Sequence, residues 1–114
     1  MKKSFCTAAV LFSCIFFFWP VIVWGGDYVL GEAIYQGSCE RCHGSNGDGN
    51  GPDAATMSPK PPDFNDPKFW RMFNEKKMTD VVRKGRGQMP AFEMSSEEIH
   101  VIINYMTLMF KPAK

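Results

Sequence analysis

The chain has 114 residues, enough for one small domain and too few for a large multi-step enzyme. Hydrophobic residues make up 45% and charged residues 22%, ordinary for a globular chain and unlike a disordered or collagenous one. Thirteen basic side chains stand against twelve acidic ones, a formal charge of +1, without the basic excess of a nucleic-acid binder.

The chain opens with Met1, Lys2 and Lys3 and then runs apolar over residues 5–24, broken only by Cys6, Thr7, Ser13, Cys14 and Pro20. Val23, Trp24 and Gly25 follow where a signal peptidase would read. This is the pattern of a secretory signal over residues 1–25. About 20 apolar residues also suffice to span a bilayer, so an uncleaved anchor through residues 5–24 is the rival. Pro20 favours cleavage, because proline breaks a helix where the peptidase needs extended chain. The domain starts almost at once, near Val29, with no linker to hold it off a membrane. Lys2 and Lys3 stay in the cytoplasm in either case, which places the rest outside it, in the periplasm. Residues 26–114 are then the exported domain, with 11 basic and 12 acidic side chains over 89 residues. Such a chain has a thin core and calls for a metal, a cofactor or disulfides as reinforcement.

Residues 30–38 suit a short helix that runs into Cys39-Glu40-Arg41-Cys42-His43. Two residues between the cysteines put both thiols on one turn, within reach of the two vinyl groups of one haem. His43 then falls under the iron, so the string reads as a c-type haem attachment site. A redox disulfide would need a thioredoxin-like βαβ context, which the sequence lacks. A zinc ribbon would need a second Cys or His pair, but outside the signal only His100 remains. A plain structural disulfide leaves His43 without a role. Covalent haem is attached outside the cytoplasm, so the signal and the motif support each other.

Residues 44–51 carry Gly44, Gly47, Gly49 and Gly51 with Asn46, Asp48 and Asn50 between them, a loop composition. The Asp and Asn residues do not make an EF-hand, whose twelve-residue spacing and closing Glu are missing. Residues 58–66, with Pro59, Pro61 and Pro62, are expected to be extended and turned. Asp66 and Pro67 start a helix as N-cap and first helical residue, to about Phe73. A further helix is expected from about Thr79, its cap, to Lys84, stopping at Gly85. Ser95 and Glu98 form a capping box, after which Ile99, Ile102, Ile103, Met106 and Phe110 share one helical face. The fold class is all-α, with four or five short helices and no strand.

From residue 29 to 110 the chain resembles a small monohaem class I cytochrome c of bacterial type. Gly31 and Tyr35 stand eight and four residues before Cys39, as that family's glycine and aromatic do on the first helix. Ile102 and Tyr105 match the residues that cross against them on the last helix. The resemblance implies one covalently attached haem c, held by Cys39 and Cys42 and ligated by His43. It also implies that the Pro52 carbonyl orients the histidine and that Met89 supplies the second iron ligand.

Most methionines in a small core are packing, and Met72, Met106 and Met109 fall on expected helices, so all three are read as core. Met89 differs, because Gly85 and Gly87 let the backbone approach a flat cofactor and Pro90 biases Met89 to extended chain. Met57 and Met78 remain alternatives. His100 reads as a surface histidine. Iron with His and Met ligands has no open site, and the thioether raises the potential. The implied function is electron transfer between redox proteins outside the cytoplasm, by a monomer without a catalytic site, small-molecule substrate or nucleic-acid partner. The alternatives are a haem enzyme or gas sensor with a displaceable Met89, and a membrane-bound cytochrome subunit. Lys76, Lys77, Arg83, Lys84 and Arg86 make a possible basic docking rim, opposed by Glu75 and Asp80. Trp70 is a candidate neighbour of a haem propionate.

Overall fold

A computed structural model describes residues 25–113, which form five α-helices and one 3₁₀ turn, with no strand among them. The expected signal over residues 1–25 lies, apart from Gly25, outside the described residues. Among the described residues no helix is long and apolar enough to cross a membrane.

Helix α1 (Gly26–Ser38) starts four residues earlier than expected, at a glycine N-cap without a side-chain bond and with Asp27 in its first turn. An acidic residue there meets the positive end of the helix dipole. The Cys39 N–H closes α1 on the Tyr35 carbonyl at 2.8 Å, and α2 (Glu40–His43) follows at once. The glycine loop leads into a 3₁₀ turn (Pro52–Thr56) that the sequence did not announce. Helix α3 (Pro67–Met72) begins as expected: the Asp66 carboxylate accepts from the Lys68 N–H at 2.8 Å, with Pro67 in the first turn.

Helix α4 (Glu75–Lys84) corrects the expected start at Thr79. Asn74 is the cap, its side chain accepting from the Lys77 N–H at 3.0 Å. Thr79 lies inside the helix, its hydroxyl donating to the Glu75 carbonyl at 2.9 Å. Asn is the stronger N-cap, and Glu75 behind it suits the first turn. The helix stops at Gly85, whose φ of +72° is open to glycine at little cost. Helix α5 (Ser96–Phe110) carries the full capping box: Ser95 Oγ accepts from the Glu98 N–H at 3.1 Å, and the Glu98 carboxylate accepts from the Ser95 N–H at 2.8 Å.

Helices α1 and α5 cross at Gly31. A Cβ there would meet the Val101 carbonyl oxygen and come within 2.8 Å of Tyr105 Cβ. Tyr35 then stacks its ring 5.5 Å from Tyr105 and 5.2 Å from Phe110. The expected face of α5 is buried throughout, and Val101 and Tyr105 extend it toward α1. Each such side chain contributes about 1.5–3 kcal/mol by leaving water. Two of the three methionines read as core are not: Met72 is 75% exposed and Met109 49%, whereas Met106 is 2% exposed. Met109 lies off the face of α5 that meets the core, and Met72 lies on α3 at the rim of the central cavity.

Candidate functional site

One cavity of about 960 Å³ runs through the domain, at the upper end of the range of about 300–1,000 Å³ typical for ligand and cofactor sites. Cys39, Cys42 and His43 line one part of it, and Met89 lines it as well. These four residues come from α1's end, α2 and the loop after α4.

The Cys39–His43 wall is held by backbone. The N–H groups of Cys42 and His43 both bond the Cys39 carbonyl, at 3.2 and 2.9 Å. The glycine loop folds back on them, Gly49 N–H to the His43 carbonyl at 2.9 Å and Gly51 N–H to the Cys42 carbonyl at 3.2 Å. A Cβ at Gly51 would meet the Arg41 carbonyl, so only glycine lets this return pass so close. The buried Tyr35 hydroxyl donates to the Gly44 carbonyl at 2.8 Å. Burial, with Cys39 nearby, pushes that hydroxyl's pKa far up, so it stays a donor. Outside, Arg41 and Asp53 pair through two bonds of 2.9 and 3.0 Å, tying α2 to the 3₁₀ turn.

Cys39 and Cys42 are both free thiols. Burial, and then Cys42, pushes the Cys39 thiol up to about 11, so it is protonated at neutral pH. Burial lowers the His43 pKa to about 4, which keeps the imidazole neutral and a lone pair available. The ring stacks on Phe64, with centroids 4.7 Å apart and planes 15° from parallel. Its Nδ1 is buried without a hydrogen-bond partner. A buried polar atom left unpaired costs about 1–3 kcal/mol, so Nδ1 calls for an acceptor, the usual need of the second nitrogen of a ligating imidazole. A large apolar cavity with two thiols and this imidazole on its wall fits a flat metal macrocycle. Among the described residues no cluster of three His, Cys, Asp or Glu offers a metal site of its own.

Pro52 opens the 3₁₀ turn and is exposed, outside the cavity lining. The hydrogen bond expected from His43 Nδ1 to its carbonyl is not formed.

The methionine wall is built differently. Arg86 and Met89 exchange two backbone hydrogen bonds of 3.0 Å across Gly87 and Gln88, with Gly87 at φ +58°. The Phe92 N–H bonds the Val82 carbonyl at 2.9 Å, and Gln88 Oε1 accepts from the Ser58 N–H at 3.0 Å. That last bond joins the methionine turn to the proline-rich strap of residues 58–66. Met57 and Met78, the alternatives to Met89, line the same cavity, as do Met72, Met94 and Met106.

Sequence reasoning missed two contacts here. Phe64, 3% exposed, packs against the histidine, and its only signal was a lone aromatic behind two prolines. Gln88 was seen as part of the loop but not as its tie. Trp70 Nε1 donates to the Phe64 carbonyl at 2.6 Å, and Lys111 Nζ lies 5.7 Å above its ring. The expected basic rim thins. Lys76 and Lys84 both pair with Asp80, and Arg83 bonds the Met94 carbonyl and Ser96 Oγ. Lys77 and Arg86 are exposed and line the cavity. His100 is exposed, with Nδ1 3.3 Å from Glu75 Oε1.

A family model described as cytochrome c oxidase, cbb3-type, subunit III matches residues 26–106. Cytochrome c-551 of Bacillus subtilis (strain 168) is 30% identical over 78 residues, covering 68% of this chain and 59% of that protein. The chain thus spans under two thirds of that relative's length. The chain belongs to this c-type cytochrome family and is a small class I cytochrome c, all-α, of a family whose chemistry is electron transfer by covalently bound haem.

Proposed function

We propose that this chain is a monohaem electron carrier with His/Met-ligated iron, working between redox proteins outside the cytoplasm. The observation that carries it is the convergence of Cys39, Cys42, His43 and Met89 on one apolar cavity. Cys39 and Cys42 would hold the macrocycle as thioethers, and His43 and Met89 would supply the ligands of its iron. Haem c supplies a one-electron couple when bound.

The chain's own residues do the rest. The backbone-bonded α2 turn fixes the imidazole, and Phe64 holds the plane of its ring. Pro52 follows Gly51, which is tied to Cys42, and its carbonyl remains the acceptor we propose for Nδ1 in the loaded protein. Met89 is favoured over the other cavity methionines by its setting. It closes a tight glycine turn in front of Pro90, whereas Met106 is packed on α5 and Met72 is mostly exposed on α3. A thioether and an apolar wall both favour the less charged Fe(II) state and raise the potential. No acid, base or nucleophile is required of the protein. Lys77 and Arg86 at the cavity are the charges best placed to steer a partner. Residues 1–25 direct export.

The test is the visible and near-infrared spectrum of the exported protein, oxidised and reduced. The expected result is a low-spin c-type spectrum with the weak methionine–iron band, lost in Met89→Ala, and no reaction of the reduced form with CO. A high-spin spectrum or ready CO binding would move the reading to a haem enzyme or gas sensor with His43 as the one fixed ligand.

A further inference from the structure

Helix α3 brings three aromatic residues to the domain that no ligand role accounts for. Phe69 lines the cavity, as does Phe73 just past the helix end, and Trp70 does not. Trp70 nonetheless packs on both: its ring lies 5.2 Å from that of Phe69 and 5.3 Å from that of Phe73. The contacts continue to the histidine. Phe69 lies 4.9 Å from Phe64, and Phe64 stacks on His43 at 4.7 Å. The bond from Trp70 Nε1 to the Phe64 carbonyl fixes the indole against that stack. Two arms of packed rings therefore leave the cavity wall and meet at one tryptophan.

Trp70 is half-buried and stands outside the cavity lining, so the part it leaves open faces solvent. The charges next to it are positive. Lys68 and Arg71 share α3 with it, a helix without an acidic residue, and Lys111 Nζ lies above its ring. All three cations are exposed, and among the described residues none forms an ion pair. Asp66, the nearest acid in sequence, is engaged as the cap of α3. On α4, by contrast, Asp80 holds Lys76 and Lys84. None of the three cations lines the cavity, unlike Lys77 and Arg86. A tryptophan beside an arginine among free cations has the composition of an interface centre with a charged rim. Redox encounters need little area, under about 1,200 Å² in all, so one short helix and its neighbours suffice.

We propose that α3 is an electron port: a redox protein with an acidic face docks over Lys68, Arg71 and Lys111, and one electron passes between its redox centre and the haem by way of Trp70. The complementary charges steer the encounter. The rings lend their orbitals and are not themselves oxidised. No proton moves and no bond is made or broken, and the electron that one centre loses the other gains. Tunnelling weakens steeply across empty gaps, and rings in contact leave none between the surface and the cavity wall. A carrier meets both a donor and an acceptor, and a basic face other than the cavity mouth gives the two partners separate sites. The proposal rests on the haem reading of the cavity. Its route starts at His43 and the cavity-lining rings, not at Met89.

Two measurements on the haem-loaded protein test it. The first uses poly-L-glutamate as the acidic surface and reads lysine acetylation by mass spectrometry. Severalfold protection of Lys68 and Lys111 is expected. Protection confined to Lys60 and Lys77, or absent from every lysine, would overturn the docking site. The second attaches a photoactive ruthenium complex to Arg71→Cys and times the flash-induced reduction of the haem. Trp70→Leu should slow that transfer severalfold, and Trp70→Phe, which keeps a ring, should slow it less. Transfer from the same label on Lys60→Cys, at the cavity, should change in neither. Equal rates from Arg71→Cys in all three proteins, or equal slowing from both labels, would overturn the route. The acetylation pattern needs no variant, so a Trp70 variant that fails to fold leaves the port open to refutation. If Met89 does not hold the iron, the near-infrared band is missing while the two labels still compare the routes.

Discussion

The two walls of the cavity are built on opposite principles. On the histidine side the chain holds itself: five backbone hydrogen bonds and the Tyr35 hydroxyl close Cys39, Cys42, His43 and the glycine loop into one unit. That unit continues into the tightly crossed α1 and α5. On the methionine side a two-residue turn, one bond to Val82 and one glutamine tie hold a surface of half-buried Phe73, Met78, Met89, Phe92 and Met94. The first wall is set by the polypeptide. The second rests on fewer backbone ties and on packing against Val82, Ile99 and Ile103. For a c-type cytochrome this division leaves the methionine side as the place where the potential is tuned.

Emptying the cavity should separate the walls most. In Cys39→Ser with Cys42→Ser no thioether can form. Without haem the apolar lining of the roughly 960 Å³ cavity is left to water, at a loss of about 25 cal/mol for each Å² uncovered. The methionine side must therefore collapse or melt. Amide exchange should show protection lost in α4 and residues 85–94, with whatever remains confined to α1 and α5. Native protection in α4 of the haem-free variant would break the comparison.

The reverse experiment attacks the self-held side. In Gly31→Val the new Cβ runs into the Val101 carbonyl and Tyr105 Cβ, both rigidly placed. Overpacking here should cost about 3 kcal/mol, or roughly 12–24 °C in Tm for a domain of this size. The folded fraction should keep an unchanged methionine–iron band. A Tm within a few degrees of wild type would mean that the helices part more easily than their packing implies.

Met89→Ala probes the tunable side without emptying it. The potential should fall by a few tenths of a volt, within the ~0.8 V range that axial ligands command. Exchange protection of α1 and α5 should barely change. If another cavity methionine takes the iron, the near-infrared band survives in Met89→Ala, and Met57 and Met78 are the next residues to change.

The sequence was most readable where function or a cap is written in adjacent residues. Cys39 to His43, Asp66-Pro67, Gly85 and the Ser95–Glu98 box each state their local rule, and the elements follow it. It was least readable where tertiary contact decides. The start of α4 went to Asn74 because its carboxamide caps better than Thr79, a competition that periodicity does not register. Met72 and Met109 sit on helices as expected, but Met72 opens onto the cavity and Met109 onto the surface beside Tyr28, which helix membership alone does not tell apart. Phe64 reaches the histidine only because the strap folds across the glycine loop, its N–H bonding the Gly47 carbonyl at 2.7 Å.

The smallest effect gives the sharpest test of how the methionine side is held. Gln88 Oε1 accepts from the Ser58 N–H at 3.0 Å, and Gln88 and Ser58 both line the cavity. No other hydrogen bond among the described residues joins the turn that carries Met89 to the strap. Its loss should cost about 1 kcal/mol, which is roughly a fivefold change in an equilibrium. In the oxidised protein that cost should appear where Met89 leaves the iron. Imidazole should displace the thioether about fivefold more readily in Gln88→Ala, with Tm lower by only a few degrees. Gln88→Glu keeps an acceptor oxygen at the same reach and should restore most of the wild-type affinity. Equal imidazole affinity in wild type and Gln88→Ala would mean that the turn holds Met89 without the strap. Its support would then be the two backbone bonds between Arg86 and Met89 and the bond from the Phe92 N–H to the Val82 carbonyl.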